Sequence, residues 1–167
     1  MIPDPLHPAV VHFPIVLILL GAVVAVVAVF LRRWHLPMLA AIVLVGGAGG
    51  ALVATWTGEE EAEMAGEISE PADALLEEHE EWGEWTRNVA IVAALLAVAA
   101  AGVGLTRHLR VARGIGVATA LVAVVAAYSV GMTGHYGGLL VYKHGVGINP
   151  PGAVPALDVH KSDAEGN

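Results

Sequence analysis

Val10–Leu31 reads VVHFPIVLILLGAVVAVVAVFL, an unbroken apolar run with no Lys, Arg, Asp or Glu. A bilayer core about 30 Å thick takes roughly 20 residues of helix, so this run is long enough to cross. Three more follow: Leu36–Trp56, about Asn88–Leu105, and Gly114 to about Met132, each equally free of charge. Four soluble core helices would all have to be apolar on every face, which is what a membrane demands and a water-facing domain does not. The first run starts after Asp4 and Pro5, lacks a basic leading segment, and has no small-residue cleavage site before Arg32. It is read as a retained helix and not a cleaved signal.

The whole-chain balance agrees. The 167 residues are 56% hydrophobic and only 14% charged, where a soluble domain is about a quarter charged. Eight Lys+Arg stand against sixteen Asp+Glu, which leaves no basic face for nucleic acid. With no cysteine there is no disulfide frame, thiolate metal site, iron–sulfur cluster or covalently attached haem. The fold class expected is all-α: an integral membrane antiparallel four-helix bundle with an acidic periplasmic loop between helices two and three. Residues 1–148 form the transmembrane domain and 149–167 a flexible polar tail.

Charge orients the spans. Arg32 and Arg33 lie between the first two, and Arg107, Arg110 and Arg113 between the last two. Residues 57–86 hold twelve of the sixteen carboxylates and no Lys or Arg. Positive residues favour the cytoplasmic side. The protein is therefore expected in the bacterial inner membrane, multi-pass, with both termini and the acidic segment periplasmic. Trp34 marks the inner interface and Trp56, Trp82 and Trp85 the outer one. Within the acidic segment, Glu59–Glu63 extends the second helix, and Pro71 opens a helix running through Leu76, His79 and Trp82 into the third span, with Asp73 suited to its dipole. The glycines of helices two and three (Gly46, Gly47, Gly49, Gly50, Gly102, Gly104) serve close helix packing or make room for a flat cofactor; spacing leaves both open.

Eight histidines are the unusual stock. His35 and His108 lie among the arginines, and His160 lies in the tail. His7, His12, His79, His135 and His144 come from three chain regions that this topology brings to one level. Such a cluster serves as axial ligand to a b-type haem, as ligand to zinc, copper or iron beside carboxylates, or as a proton relay. Leu76-Glu77-Glu78-His79 carries Leu where the di-metal Glu-x-x-His motif wants Glu, although a mononuclear site of His79 with Glu59 or Glu63 stays open. With helices one and three diagonal, His12 and His79 are expected to reach one central plane. His135 and His144 then form a second ligand set or bond haem propionates, and His7 is held in reserve.

The leading expectation is a membrane b-type cytochrome holding one or two haems near the periplasmic face. It would pass electrons between the quinone pool, or a larger complex of redox membrane subunits, and a periplasmic cytochrome attracted by the acidic segment. The alternative is a non-enzymatic accessory or scaffold subunit, in lipid, with a divalent metal ion or none. Electron transfer is preferred to stand-alone catalysis: there is no nucleophile–base pairing, phosphate loop or hydrolase signature. A transporter is disfavoured by the lack of a mid-membrane charge and of an inverted repeat.

Leu6-His7-Pro8-Ala9-Val10-Val11-His12-Phe13-Pro14 resembles the LHPxxVHFP start of a bacterial four-span membrane family catalogued as domain of unknown function twenty-two thirty-one. Glu77-Glu78-His79-Glu80 resembles its eeHe segment. Gly134-His135-Tyr136-Gly137-Gly138-Leu139-Leu140-Val141-Tyr142-Lys143-His144-Gly145-Val146-Gly147 is similar to its TGxxGGxLVYxHGVG close. The likeness runs from Leu6 to Ile148 and implies four helices in a bacterial membrane, among cytochrome and redox partners, with no assigned activity. His7, His12, His79 and His144 carry over by these motifs; His135 falls where the pattern is open. From the residues themselves, Pro8 and Pro14 shape the start of helix one, and Gly137 and Gly138 are expected to end helix four or turn the chain closely over the site.

Overall fold

Four uninterrupted apolar runs leave the backbone to satisfy its own hydrogen bonds, and in hydrocarbon the helix is the form in which one segment does so alone. The computed structural model describes residues 6–31, 33, 35–64, 69–106 and 108–146. Its elements are α1 (His7–Val10), α2 (His12–Phe30), α3 (His35–Met64), α4 (Glu70–Leu105) and α5 (Leu109–His144), with no strand among the described residues. Four stretches are long and apolar enough to cross a membrane: His7–Phe30, His35–Ala62, Glu70–Leu105 and Leu109–His144. Trp34, the expected inner marker, and the tail from 147 onward lie outside the described residues.

α1 and α2 together form the first span, interrupted at Val11. Pro14 explains the interruption. It has no N–H to donate to the Val10 carbonyl, and its ring crowds that carbonyl. Val11 keeps helical angles (φ −58, ψ −28), so the chain continues in nearly the same direction.

The acidic segment is largely helical. α3 carries Glu59, Glu60, Glu61 and Glu63 on its final turns, and α4 begins at Glu70 with Pro71 in its first turn. Glu70 and Asp73 complement the positive end of that helix. The helical extensions expected from Glu59–Glu63 and from Pro71 are both present, on either side of residues 65–68. At 36 residues each, α4 and α5 are about 54 Å long and exceed a bilayer core of about 30 Å. The surplus lies at the carboxylate end. α5 likewise runs past Gly137 and Gly138, which sit inside it and do not end it. The helix closes at Gly145, whose φ of 68 is left-handed. The Gly145 N–H donates to the Val141 carbonyl (3.0 Å) and the Val146 N–H to Leu140 (3.1 Å).

Neighbouring spans pack in a ring, α2 on α3, α3 on α4, α4 on α5 and α5 on α2. α2 therefore lies diagonal to α4, and α3 to α5. The centre is built of alanine: Ala90, Ala93, Ala97, Ala123 and Ala126 are all buried, and between helices in lipid such small residues allow close backbone approach. Among the described residues, Ile18 and Leu44 are large apolar side chains that are fully enclosed. The big residues face outward instead: Val23, Leu95 and Leu121 are 60%, 66% and 66% exposed. That inversion, small inside and large outside, fits a lipid solvent.

α2 and α3 meet without space between them. A Cβ on Gly47 would stand 3.0 Å from Ile18 Cγ1 and 3.2 Å from the Ile18 backbone nitrogen, whereas one on Gly49 meets nothing within 4 Å. The close-packing reading of these glycines therefore holds at Gly47 and not at Gly49. Gly47→Leu is expected to destabilise the protein by about 1–3 kcal/mol through overpacking, measured as a lower thermal midpoint in detergent. Gly49→Leu should leave the midpoint unchanged or raise it by the helix propensity gained.

Candidate functional site

His7 begins α1, immediately before Pro8, and its own N–H has no helical acceptor. Glu61 Oε1 accepts it at 2.7 Å. The His7 ring lies against the outer turns of α3, where Nδ1 is 2.8 Å from the Ala54 carbonyl and 3.3 Å from Thr57 Oγ1. A carbonyl only accepts, so Nδ1 carries the proton. Thr57 Oγ1, which itself donates to Ala54 O (3.1 Å), is a second acceptor for it. Gly58 makes this seat possible, since a Cβ there would stand 3.0 Å from His7 Cε1.

His79 repeats the arrangement on α4. Its Nδ1 donates to the Thr133 carbonyl on α5 at 2.9 Å. Thr133 Oγ1 donates to the Ser129 carbonyl (3.0 Å) and therefore accepts from Thr86 Oγ1 (3.0 Å). Gly137, one turn past Thr133, leaves the room: its Cβ would stand 2.9 Å from His79 Cε1. Both imidazoles are half-buried. Their ring centroids are 6.3 Å apart with the planes at 88°.

Each ring thus has its Nδ1 proton committed to a main-chain carbonyl of a different helix. In the neutral ring this fixes the tautomer and leaves the Nε2 lone pair available, the arrangement that orients metal-binding histidines. It also ties α1 to α3 and α4 to α5.

The remaining sequence candidates are placed elsewhere. His12, expected opposite His79, is exposed and bonds the Pro8 carbonyl of its own helical turn at 2.8 Å. The ring that meets His79 is His7. The physical reason is rotation: five residues turn a helix by about 140° beyond one full circle, so His7 and His12 cannot both face the bundle axis. His135 is exposed, its ring edge-on to Tyr136 at 5.5 Å. His144 is half-buried two turns beyond Gly137, and its Nε2 is buried without a hydrogen-bond partner among the described residues. Glu59 approaches Arg87 at 4.0 Å, and the side chain of Glu63 lies outside the described residues. Among the described residues, no three of His, Asp and Glu converge to hold a metal ion.

The supporting groups had no signal of their own in the sequence. Thr133 acts through its carbonyl and Gly58 and Gly137 through a missing Cβ. Gly137 stood in a quoted motif, but for a different reason.

The class is therefore a four-span, all-helical membrane protein with two anchored imidazoles at its carboxylate-rich end. The chain belongs to the family described as predicted membrane protein (DUF2231), which it matches over residues 3–150. No curated protein and no solved structure matches it.

Gly137→Ala should displace the His79 ring and lower the thermal midpoint in detergent, by about 1–3 kcal/mol in stability. Gly138→Ala, whose Cβ meets nothing within 4 Å, should not lower it.

Proposed function

We propose that the chain is an electron-transfer protein of the bacterial inner membrane in which His7 and His79 would together hold a b-type haem. The observation that carries this reading is the pair of imidazoles 6.3 Å apart with both Nδ1 atoms held by carbonyls. Two imidazoles that would share one metal ion need centroids about 6 Å apart, given a metal–nitrogen bond of about 2.0 Å. The donor count selects the group. Among the described residues no third His, Asp or Glu joins the two imidazoles, which would leave a bare zinc or copper ion short of protein ligands, whereas haem brings its own four nitrogens. When bound, haem supplies one-electron chemistry at a potential set by its axial ligands and surroundings. The chain's own part is to hold two Nε2 lone pairs at fixed orientation, because each ring is clamped at Nδ1 and seated on a glycine.

The orientation proposed is an antiparallel bundle with Arg33, Arg110 and Arg113 at the cytoplasmic face and the histidine pair, both termini and the acidic helix ends in the periplasm. Glu60, Glu77 and Glu81 are exposed at that end and suit the docking of a basic partner such as a cytochrome c. Electrons would pass between that partner and the quinone pool or a neighbouring redox subunit.

One observation favours a second reading, a non-enzymatic accessory subunit. The same hydrogen bonds that orient the rings also tie the helices together, and that could be their whole purpose.

An oxidised and dithionite-reduced absorption spectrum separates the two. On the cytochrome reading the detergent-purified protein shows a Soret band with α and β bands on reduction. His7→Ala and His79→Ala each abolish it, and His12→Ala keeps it. A colourless preparation from haem-replete cells, with His7→Ala and His79→Ala merely less stable, supports the accessory subunit. A periplasmic reporter fused to the C-terminus should be active if the proposed orientation holds.

A further inference from the structure

At the arginine end, opposite the histidines, all four spans present small side chains to one another. Ala25 and Ala28 of α2, Ala40 of α3, and Ala97 and Ala100 of α4 line one cavity of about 560 Å³ together with α5. Ala25, Ala40, Ala97 and Ala100 are themselves buried, whereas the lining residues Leu31, Leu105 and Leu109 are well exposed. The volume falls in the range of about 300–1,000 Å³ usual for small-molecule sites. The same cavity is lined by Arg33, Arg110 and Arg113. All three are exposed, and among the described residues no carboxylate lies within ion-pair distance of these guanidiniums; the ion pairs there belong to Arg87. Around them the outer surface is lipid-facing in character, with Phe30, Leu105 and Leu109 well exposed.

We infer that this cavity is a binding site for an anionic phospholipid of the leaflet on the arginine side, with an acyl chain against its apolar wall and the phosphate on Arg33, Arg110 and Arg113. The charge complementarity is direct. A guanidinium binds phosphate through two parallel hydrogen bonds, and basic pockets between transmembrane helices are suited to acidic headgroups. An apolar slot opening beside three exposed cations matches a ligand with one long apolar part and one anionic part. Neither half alone satisfies both features. The site is independent of the haem reading, since no histidine lines it.

Thermal unfolding of the delipidated protein in detergent tests this with three additions: a phosphatidylglycerol, a phosphatidylcholine of the same chains, and glycerol 1-phosphate. Phosphatidylglycerol should raise the midpoint saturably, as any ligand of the native state does. Phosphatidylcholine should give a several-fold smaller shift, and glycerol 1-phosphate none. The doubly substituted Arg110→Gln, Arg113→Gln protein should keep its starting midpoint, because both side chains are exposed, and should lose most of the phosphatidylglycerol shift. Ala28→Leu fills the cavity while leaving the arginines, and should lose it too. Mass spectrometry of the protein purified from membranes should find phosphatidylglycerol retained over phosphatidylcholine in the parent and not in the variants. Equal shifts with the two lipids, a full shift with glycerol 1-phosphate, or a phosphatidylglycerol shift surviving in both variants would overturn the inference.

Discussion

Close approach of helix backbones is the constraint on which everything else in this protein depends. In lipid there is no water to expel between helices, so association relies on contact between complementary surfaces. The chain meets this with alanine and glycine inside: Ala90, Ala93, Ala123 and Ala126 at the centre, and Gly47 against the backbone of Ile18. Large residues are left to the lipid. A soluble core of the same size would reverse the assignment, because there the burial of large side chains is the driving term.

Small interiors fit tightly only where helices lie close. Near the carboxylate end the missing side chains are used fully. The His7 ring occupies the space beside Gly58 and the His79 ring the space beside Gly137, and each is then pinned by a carbonyl. At the arginine end no ring enters, and the four spans leave a cavity between them. One packing strategy thus produces a pair of clamped imidazoles at one end and an open apolar slot at the other.

The polar groups follow the same division. Most carboxylates stand on helical extensions beyond the apolar spans, with Glu61 holding the N–H of His7. Among the described residues no carboxylate lies within ion-pair distance of the arginines of the opposite end, Arg33, Arg110 and Arg113. Arg87 is the exception, lying at the carboxylate end between Glu59 and Glu84.

The sequence by itself determined the number of spans, their approximate limits and the segregation of charge, because these depend only on the run of residue types along the chain. It also located the helix opened by Pro71, since a proline in the first turn and acidic residues beside it act within one turn of helix. It likewise indicated the helical extensions on either side of residues 65–68, through Glu59–Glu63 and from Pro71 onward. It did not show that Gly137 seats a ring: a glycine inside a helix and a glycine ending one look alike until the neighbour is known. Above all, it left open which imidazoles meet. A span apolar on all sides carries no mark of its inward face, so the rotation of each helix about its axis is undetermined. The tertiary structure decided that rotation through shape, by the seating of Pro14 on Gly50, Ile18 on Gly47 and Leu44 on Gly21. Once α2 and α3 lock in that register, His7 is carried inward to His79 and His12 is turned out.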